Sequence, residues 1–282
     1  MKRIAIVMAM LGVCVLGYGQ DKPAAQGTAP AGQAATPPGK RPPQAKTQPE
    51  FEAYKTAFAL SDASAQEKAA ADFAMKFPES ELRLVLYKTT MEKYLAANNA
   101  DKILEMGQKA LSLDPDDPEA LVSVAQVLTE RTRDGDLDKD QKLAEAQKDA
   151  ERALATVDTD VPTGGYPPDK IDMFKRYTRS EAYAILGTLA SNNEKYPEAE
   201  TQLRKSIEVF PEQVDPVAVL RLAIALDKQN KTAEALKYAN QAVDLTKDHP
   251  ESAAGKAARA EQNRLTQLNS GTAPGSAAAT PK

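Results

Sequence analysis

Carboxylates at alternating positions are the first pattern in this 282-residue sequence with the makings of chemistry. In "DGDLDKDQKLAE", Asp134, Asp136, Asp138 and Glu145 take the first, third, fifth and twelfth places of a calcium loop, whose hard cation prefers such oxygens. Lys139 stands where the sharp turn calls for glycine, and Gln141 replaces the apolar anchor. The stretch is therefore expected to be a solvated acidic loop that caps the next helix and holds no metal. Asp116-Asp117 and Glu198-Glu200 fall at helix starts, where negative charge complements the helix dipole.

Nucleophilic and general-base chemistry has less to work with, since the chain has one histidine and one cysteine. His249 lies in the polar connection "KDHPE". Cys14 lies inside "MKRIAIVMAMLGVCVLGYGQ", where Lys2 and Arg3 precede an apolar run from Ile4 to Leu16 and the small residues Gly17 and Gly19 follow. That is the form of a secretory signal peptide cleaved near Gly19 or Gln20. Val13 is not the small residue that lipidation of Cys14 would need, so the cysteine is expected to leave with the signal. No H-E-x-x-H, nucleophile elbow or phosphate loop occurs, "TGG" at 163–165 being too short. The sequence thus reads as a non-enzyme with no cofactor.

Composition points the same way. A formal charge of −4, mixed in sign along the chain, leaves no basic footprint for nucleic acid. Tryptophan is absent, aromatics make up 5%, and alanine is abundant, which favours helices packed closely through small side chains. Beyond the signal no stretch is long and apolar enough to span a bilayer, so the mature chain is expected to lack a transmembrane segment and to be periplasmic or secreted. Four segments follow: a signal peptide at 1–19, a disordered Pro/Ala-rich linker at 20–48, helical repeats at 49–268 and a disordered tail at 269–282. The linker and the tail contain too few apolar residues to offset their ordering entropy.

The elements that would position any site show a helical period. Tyr183, Leu186, Gly187 and Ala190 lie at i, i+3, i+4 and i+7, and Ala199, Leu203, Ser206, Ile207 and Phe210 form a second stripe that Pro211 ends. Glycine inside a helix costs roughly 1 kcal/mol relative to alanine, so Gly187 is read as a packing device that lets the two backbones approach. The pattern recurs. Leu222-Ala223 and Ala235, Ala239 and Ala242 repeat it downstream, after a helix start at Asp215-Pro216. Val124-Ala125 and Leu128, then Ala146, Ala150 and Ala153, repeat it upstream. Tyr87, Met91 and Tyr94 precede Ala110 and Pro115 in the next, and the most degenerate pair has Ser64 and Glu67 as its expected capping box.

These motifs resemble the tetratricopeptide repeat, with Tyr183 in the tryptophan slot and Ala190 in the tyrosine slot. The expected fold is all-α: an α-solenoid of about five antiparallel helix pairs closed by a polar C-terminal helix. Extra residues between the helices of the third pair, and the insertion "TDVPTGGYPPDKIDMFKRY" before the fourth, interrupt the spacing.

The resemblance implies a groove, lined by the first helices, that holds a peptide or partner helix. The outward residues would be Glu119, Val122 and Gln126, then Glu181, Ala184 and Thr188, then Val217, Leu220 and Ile224. The last three favour an apolar or amphipathic ligand and Glu181 a basic flank, unless the terminal helix covers them through Leu265 or Leu268. An exported binding scaffold of a bacterial envelope is the reading that results, with an oligomerising structural subunit as its alternative.

Overall fold

The computed structural model describes residues 40–162 and 166–270. The signal peptide with Cys14, the linker through residue 39, "TGG" at 163–165 and the tail from residue 271 lie outside the described residues. Within them the chain forms eleven α-helices and no strand. In chain order these are α1 (Gln48–Phe58) and α2 (Ala63–Lys76), α3 (Leu82–Ala96) and α4 (Ala100–Leu113), and α5 (Pro118–Arg131) and α6 (Lys139–Thr156). Next come α7 (Pro168–Asn192) and α8 (Tyr196–Val209), α9 (Pro216–Asp227) and α10 (Thr232–Leu245), and the terminal α11 (Ala253–Asn269). Five successive pairs and a closing helix are the expected all-α repeat. No described helix is long and apolar enough to cross a membrane.

Local chemistry sets the ends. In three of the pairs the turn places a non-glycine residue at positive φ: Asn98 at 54°, Glu194 at 59° and Asn230 at 60°. At each, the following N–H donates five residues back, Asn99 to Tyr94, Lys195 to Ala190 and Lys231 to Leu226, at 2.9–3.0 Å. That is the Schellman closure, repeated in register. α2, α4 and α8 each end on a non-helical residue before proline, at Phe77, Asp114 and Phe210, because proline disfavours the helical conformation in its predecessor. The capping box lies not at Ser64 and Glu67 but at Thr47 and Glu50. Asp62 caps α2 instead, and Glu67 is drawn off to the Tyr94 hydroxyl and the Lys102 ammonium.

The chain divides into two compact units. The N-terminal unit runs through Arg131 and includes Arg152–Thr178; the C-terminal unit comprises Thr132–Glu151 and everything from Arg179 on. In the N-terminal unit, Tyr54, Phe73, Leu82 and Leu86 form one buried cluster of α1 to α3, and Met91, Tyr94, Ile103, Met106 and Val127 form another of α3 to α5. The C-terminal unit is centred on Leu203, Leu222, Leu226 and Leu265 among alanines. Ala110, Ala146, Ala150, Ala153, Ala199, Ala235, Ala239 and Ala242, the small residues expected on second helices, are all fully buried. A Cβ on Gly187 would stand 2.6 Å from Leu203 Cγ, which establishes the close approach inferred for it.

One expectation is corrected, and the insertion proves partly helical. Lys40–Thr47, assigned to a free linker, has partners: Lys40 pairs with Asp114 and Asp160, Arg41 grips Glu81 with two nitrogens, and the Lys46 N–H donates to Glu50. The second half of the insertion before the fourth pair is helical, because Pro168 occupies the first helical position and starts α7 there.

Candidate functional site

In the N-terminal unit a charged cluster is buried where α3 meets α5. Asp117 caps α5, its Oδ1 accepting the Ala120 N–H at 2.9 Å, while Oδ2 accepts from Lys88 Nζ at 2.7 Å. The same ammonium lies 2.9 Å from Glu119 Oε2. Lys88 keeps only 8% of its side chain exposed, and Asp117 and Glu119 keep 4% and 10%. Burial would lower the Lys88 pKa, but the two carboxylates outweigh it and hold the ammonium well above the ordinary lysine range. Glu92, one turn further along α3, is 6% exposed. Burial and the adjacent Glu119 carboxylate push the Glu92 carboxyl up to about 10.

The cluster borders a cavity of about 30 Å³, room for one water-sized group. Met91, Glu92 and Leu95 line it from α3, and Glu119, Val122, Ser123 and Gln126 from α5. Phe174, Tyr177 and Thr178 complete it from the added turns of α7. Glu92 Oε1 and Glu119 Oε1 are buried there and accept from no other residue, while the protonated Glu92 carboxyl shares a hydrogen bond with Glu119.

Three of the nine expected groove residues, Glu119, Val122 and Gln126, thus share one cavity wall. The other six form no comparable face in the C-terminal unit. Glu181, Ala184 and Thr188 are buried, with the Thr188 hydroxyl donating to the Ala184 carbonyl at 2.7 Å. Glu181 is therefore not at an open rim. Leu220 is core, in a cluster with Val219, Ala242 and Ala258, whereas Val217 is half-buried and Ile224 is 38% exposed. Of the two terminal-helix residues, Leu265 is wholly buried in the cluster of Leu222 and Leu226, and Leu268 is exposed. First helices are buried on more faces than a one-sided stripe implies: α5 alone buries every residue from Ala120 to Ala125.

Lys88, Glu92, Phe174 and Tyr177 were not singled out by pattern as site residues. The signal was present as Lys88 and Glu92, four apart in the run "LRLVLYKTTMEKYLA", two charges inside a helix that periodicity makes apolar. Elsewhere, the acidic loop spends its carboxylates on lysines: Asp134 pairs with Lys139, and Asp138 and Asp136 with Lys142. No group of three His, Cys, Asp or Glu among the described residues is placed to hold a metal. His249 is exposed between α10 and α11.

No family model matches the chain, and no curated protein matches it. Solved structures similar to it include the following three. A MamA protein aligns at 16% identity over 72% of this chain and 93% of its own, with a TM-score of 0.48. A thermophilic TPR protein of Thermus thermophilus, TTC0263, aligns at 13% over 78% of this chain and 100% of its own, TM-score 0.45. Acl4, an assembly chaperone of RpL4, aligns at 13% over 79% and 97%, TM-score 0.40. The fold assignment itself rests on the helix pairs, their repeated turns and their buried alanines.

Proposed function

We propose that the chain is an exported protein-binding scaffold of a bacterial envelope, and that the face of α3, α5 and the start of α7 in its N-terminal unit engages a partner segment. The observation that carries this reading is the cavity itself, where apolar walls adjoin a buried cluster of charged groups, an arrangement that core packing alone does not favour. Repeat folds take many roles, so the proposal is made from the site and not from the fold. Export is supported by the basic, apolar and small-residue order of residues 1–19.

A photo-crosslinking residue at Gln126, on the cavity wall, tests the binding role in the native host, with the same residue at exposed Gln108 on α4 as control. A discrete adduct from position 126 and none from 108 is expected; equal or absent adducts at both would sink the reading. Intact mass of the recovered protein should place its start near Gln20 or Asp21, without lipid.

A further inference from the structure

We infer that residues Lys40 to Pro43 are an autoinhibitory latch across the partner-binding face of the N-terminal unit, a step that rests on the scaffold reading above. The latch holds, in cis, the place of a partner segment of its own chemistry: an extended stretch in which lysine and arginine precede two prolines. Position is the first ground. Leu84, Val85 and Lys88 of α3 line a cavity of about 60 Å³ together with Pro42 and Pro43. Met91, Glu92 and Leu95, at i+3, i+4 and i+7 from Lys88, continue that helix face to the cavity near Gln126. A partner segment laid along α3 therefore meets the latch.

The way it is held is the second ground. The Lys40 ammonium pairs with Asp114 and Asp160, its N–H donates to the Thr159 carbonyl at 3.1 Å, and Arg41 grips Glu81 with two nitrogens. In each pair the carboxylate is the more enclosed partner: Asp114 and Asp160 keep 10% and 24% of their side chains exposed against 39% for Lys40, and Glu81 keeps 39% against 63% for Arg41. The seat thus belongs to the folded repeats, and the cations reach it from solvent. A buried carboxylate such as Asp114 is costly without its cation, so an incoming lysine that replaces Lys40 is favoured over an empty seat. Fit is the third ground. Ala45 packs on the core of α1 to α3 and Thr47 caps α1, which fixes the chain from there on, whereas Lys40 and Arg41 are exposed and Pro42 and Pro43 only half-buried. Exposed ion pairs hold weakly and yield to salt. Pro162 and Tyr166 line the cavity of Pro42 and Pro43, and an aromatic ring beside prolines is the chemistry that binds extended proline segments. A wider groove of about 420 Å³, lined by Arg41, Pro43, Arg83 and Leu113, lies open beside the latch, so these residues underfill the surface they occupy.

The probe is acetyl-Pro-Gly-Lys-Arg-Pro-Pro-Gln-Ala-amide, the sequence of residues 38–45, titrated into full-length mature protein and into its Lys40→Glu/Arg41→Glu variant and followed by amide chemical shifts. The variant, its latch repelled by Asp114, Asp160 and Glu81, should bind the peptide about tenfold more tightly than the parent, with shifts at Leu84, Val85, Asp114 and Asp160. A peptide with glutamate at both basic positions should bind neither chain. In the unsubstituted parent, exchange of the Lys40 N–H should quicken severalfold between about 50 and 500 mM salt while that of Phe73 in α2 does not. Equal peptide affinity for the two chains, no binding to the variant up to about 10 mM, or salt-independent exchange at Lys40 would each overturn the latch. So would a dimer whose Lys40 protection rises with concentration, because the seat would then belong to a second copy. In cells, the yield of the Gln126 adduct should rise severalfold in the variant. An adduct of equal yield in both chains retires the latch and leaves the scaffold reading; no adduct in either retires both.

Discussion

Gly187 carries its consequence in three distances. A Cβ there would lie 2.6 Å from Leu203 Cγ, 2.9 Å from Leu203 Cδ2 and 3.2 Å from the Leu203 backbone nitrogen, so the neighbour cannot yield by swinging a chain end. Gly187→Ala should therefore forfeit the roughly 1 kcal/mol that alanine gains in a helix, and Gly187→Leu should lower stability by roughly 1–3 kcal/mol. In a Leu203→Ala background the side-chain clash is relieved and only the 3.2 Å approach to the backbone nitrogen remains, so Gly187→Ala should cost less than in the parent chain. Denaturant melts of the four chains measure this, and additivity of the two substitutions would refute the contact. Gly187 was legible because it breaks a helical pattern beside recurrent alanines. Gly107 does the same work, its missing Cβ facing Val124 Cγ2 at 2.5 Å and Met91 Sδ at 3.3 Å. It went unmarked because "LEMGQKAL" shows no second glycine in register. Glu92 and Lys88 were illegible as a site for another reason: only the fold brings α5 against their turn of α3.

Among the elements, the pair turns repeat more faithfully than the sequence does. Asn98, Glu194 and Asn230 share one left-handed conformation and one set of hydrogen bonds, yet only the asparagines are residues that tolerate it well. Glu194 is exposed and its φ is 59°, so Glu194→Gly should raise the midpoint by an amount equivalent to roughly 0.5–1 kcal/mol. Asn98→Gly and Asn230→Gly should do less. A drop at Glu194→Gly would mean that its side chain holds something the backbone geometry does not reveal. Helix existence and pairing were readable from alanine spacing and from the prolines after Phe77, Asp114 and Phe210. The start of α7 was not, because the insertion breaks the repeat spacing there, and Pro168 opens the helix that brings Phe174 and Tyr177 to the cavity. The expected groove face took residues off the packed stripe to be free. In repeats each first helix also packs on its neighbours, and Val122, Ala184 and Leu220 are buried accordingly.

For the whole molecule, two compact units make a single unfolding free energy the wrong quantity, and stability is better read residue by residue from amide exchange. The units differ in what they bury. The C-terminal centre is leucine and alanine, whereas the N-terminal unit encloses Lys88, Glu92, Asp117 and Glu119. Glu92 faces Lys88 and Lys93 on its own helix, Glu119 on α5, and Tyr177 lines the same cavity from α7. Its carboxyl is raised from an ordinary 4.5 to about 10, so between those values the folded chain holds a proton that the unfolded chain has lost. Stability tied to this group is present at low pH and is lost as pH rises through that window, by on the order of 1 kcal/mol per pH unit at most. Carboxylates held low by partners, such as Glu105 by Lys102 and Lys109 and Glu81 by Arg41, are ionised throughout the upper part of the window and add no slope there. Between about pH 6 and 9, protection of α3 and α5 amides, corrected for intrinsic exchange, should fall relative to α9 and α10. Glu92→Gln should flatten that difference, because a neutral side chain has no proton to lose. Equal slopes in the two units, or a slope that persists in Glu92→Gln, would show that the buried carboxyl is not what couples this unit to pH.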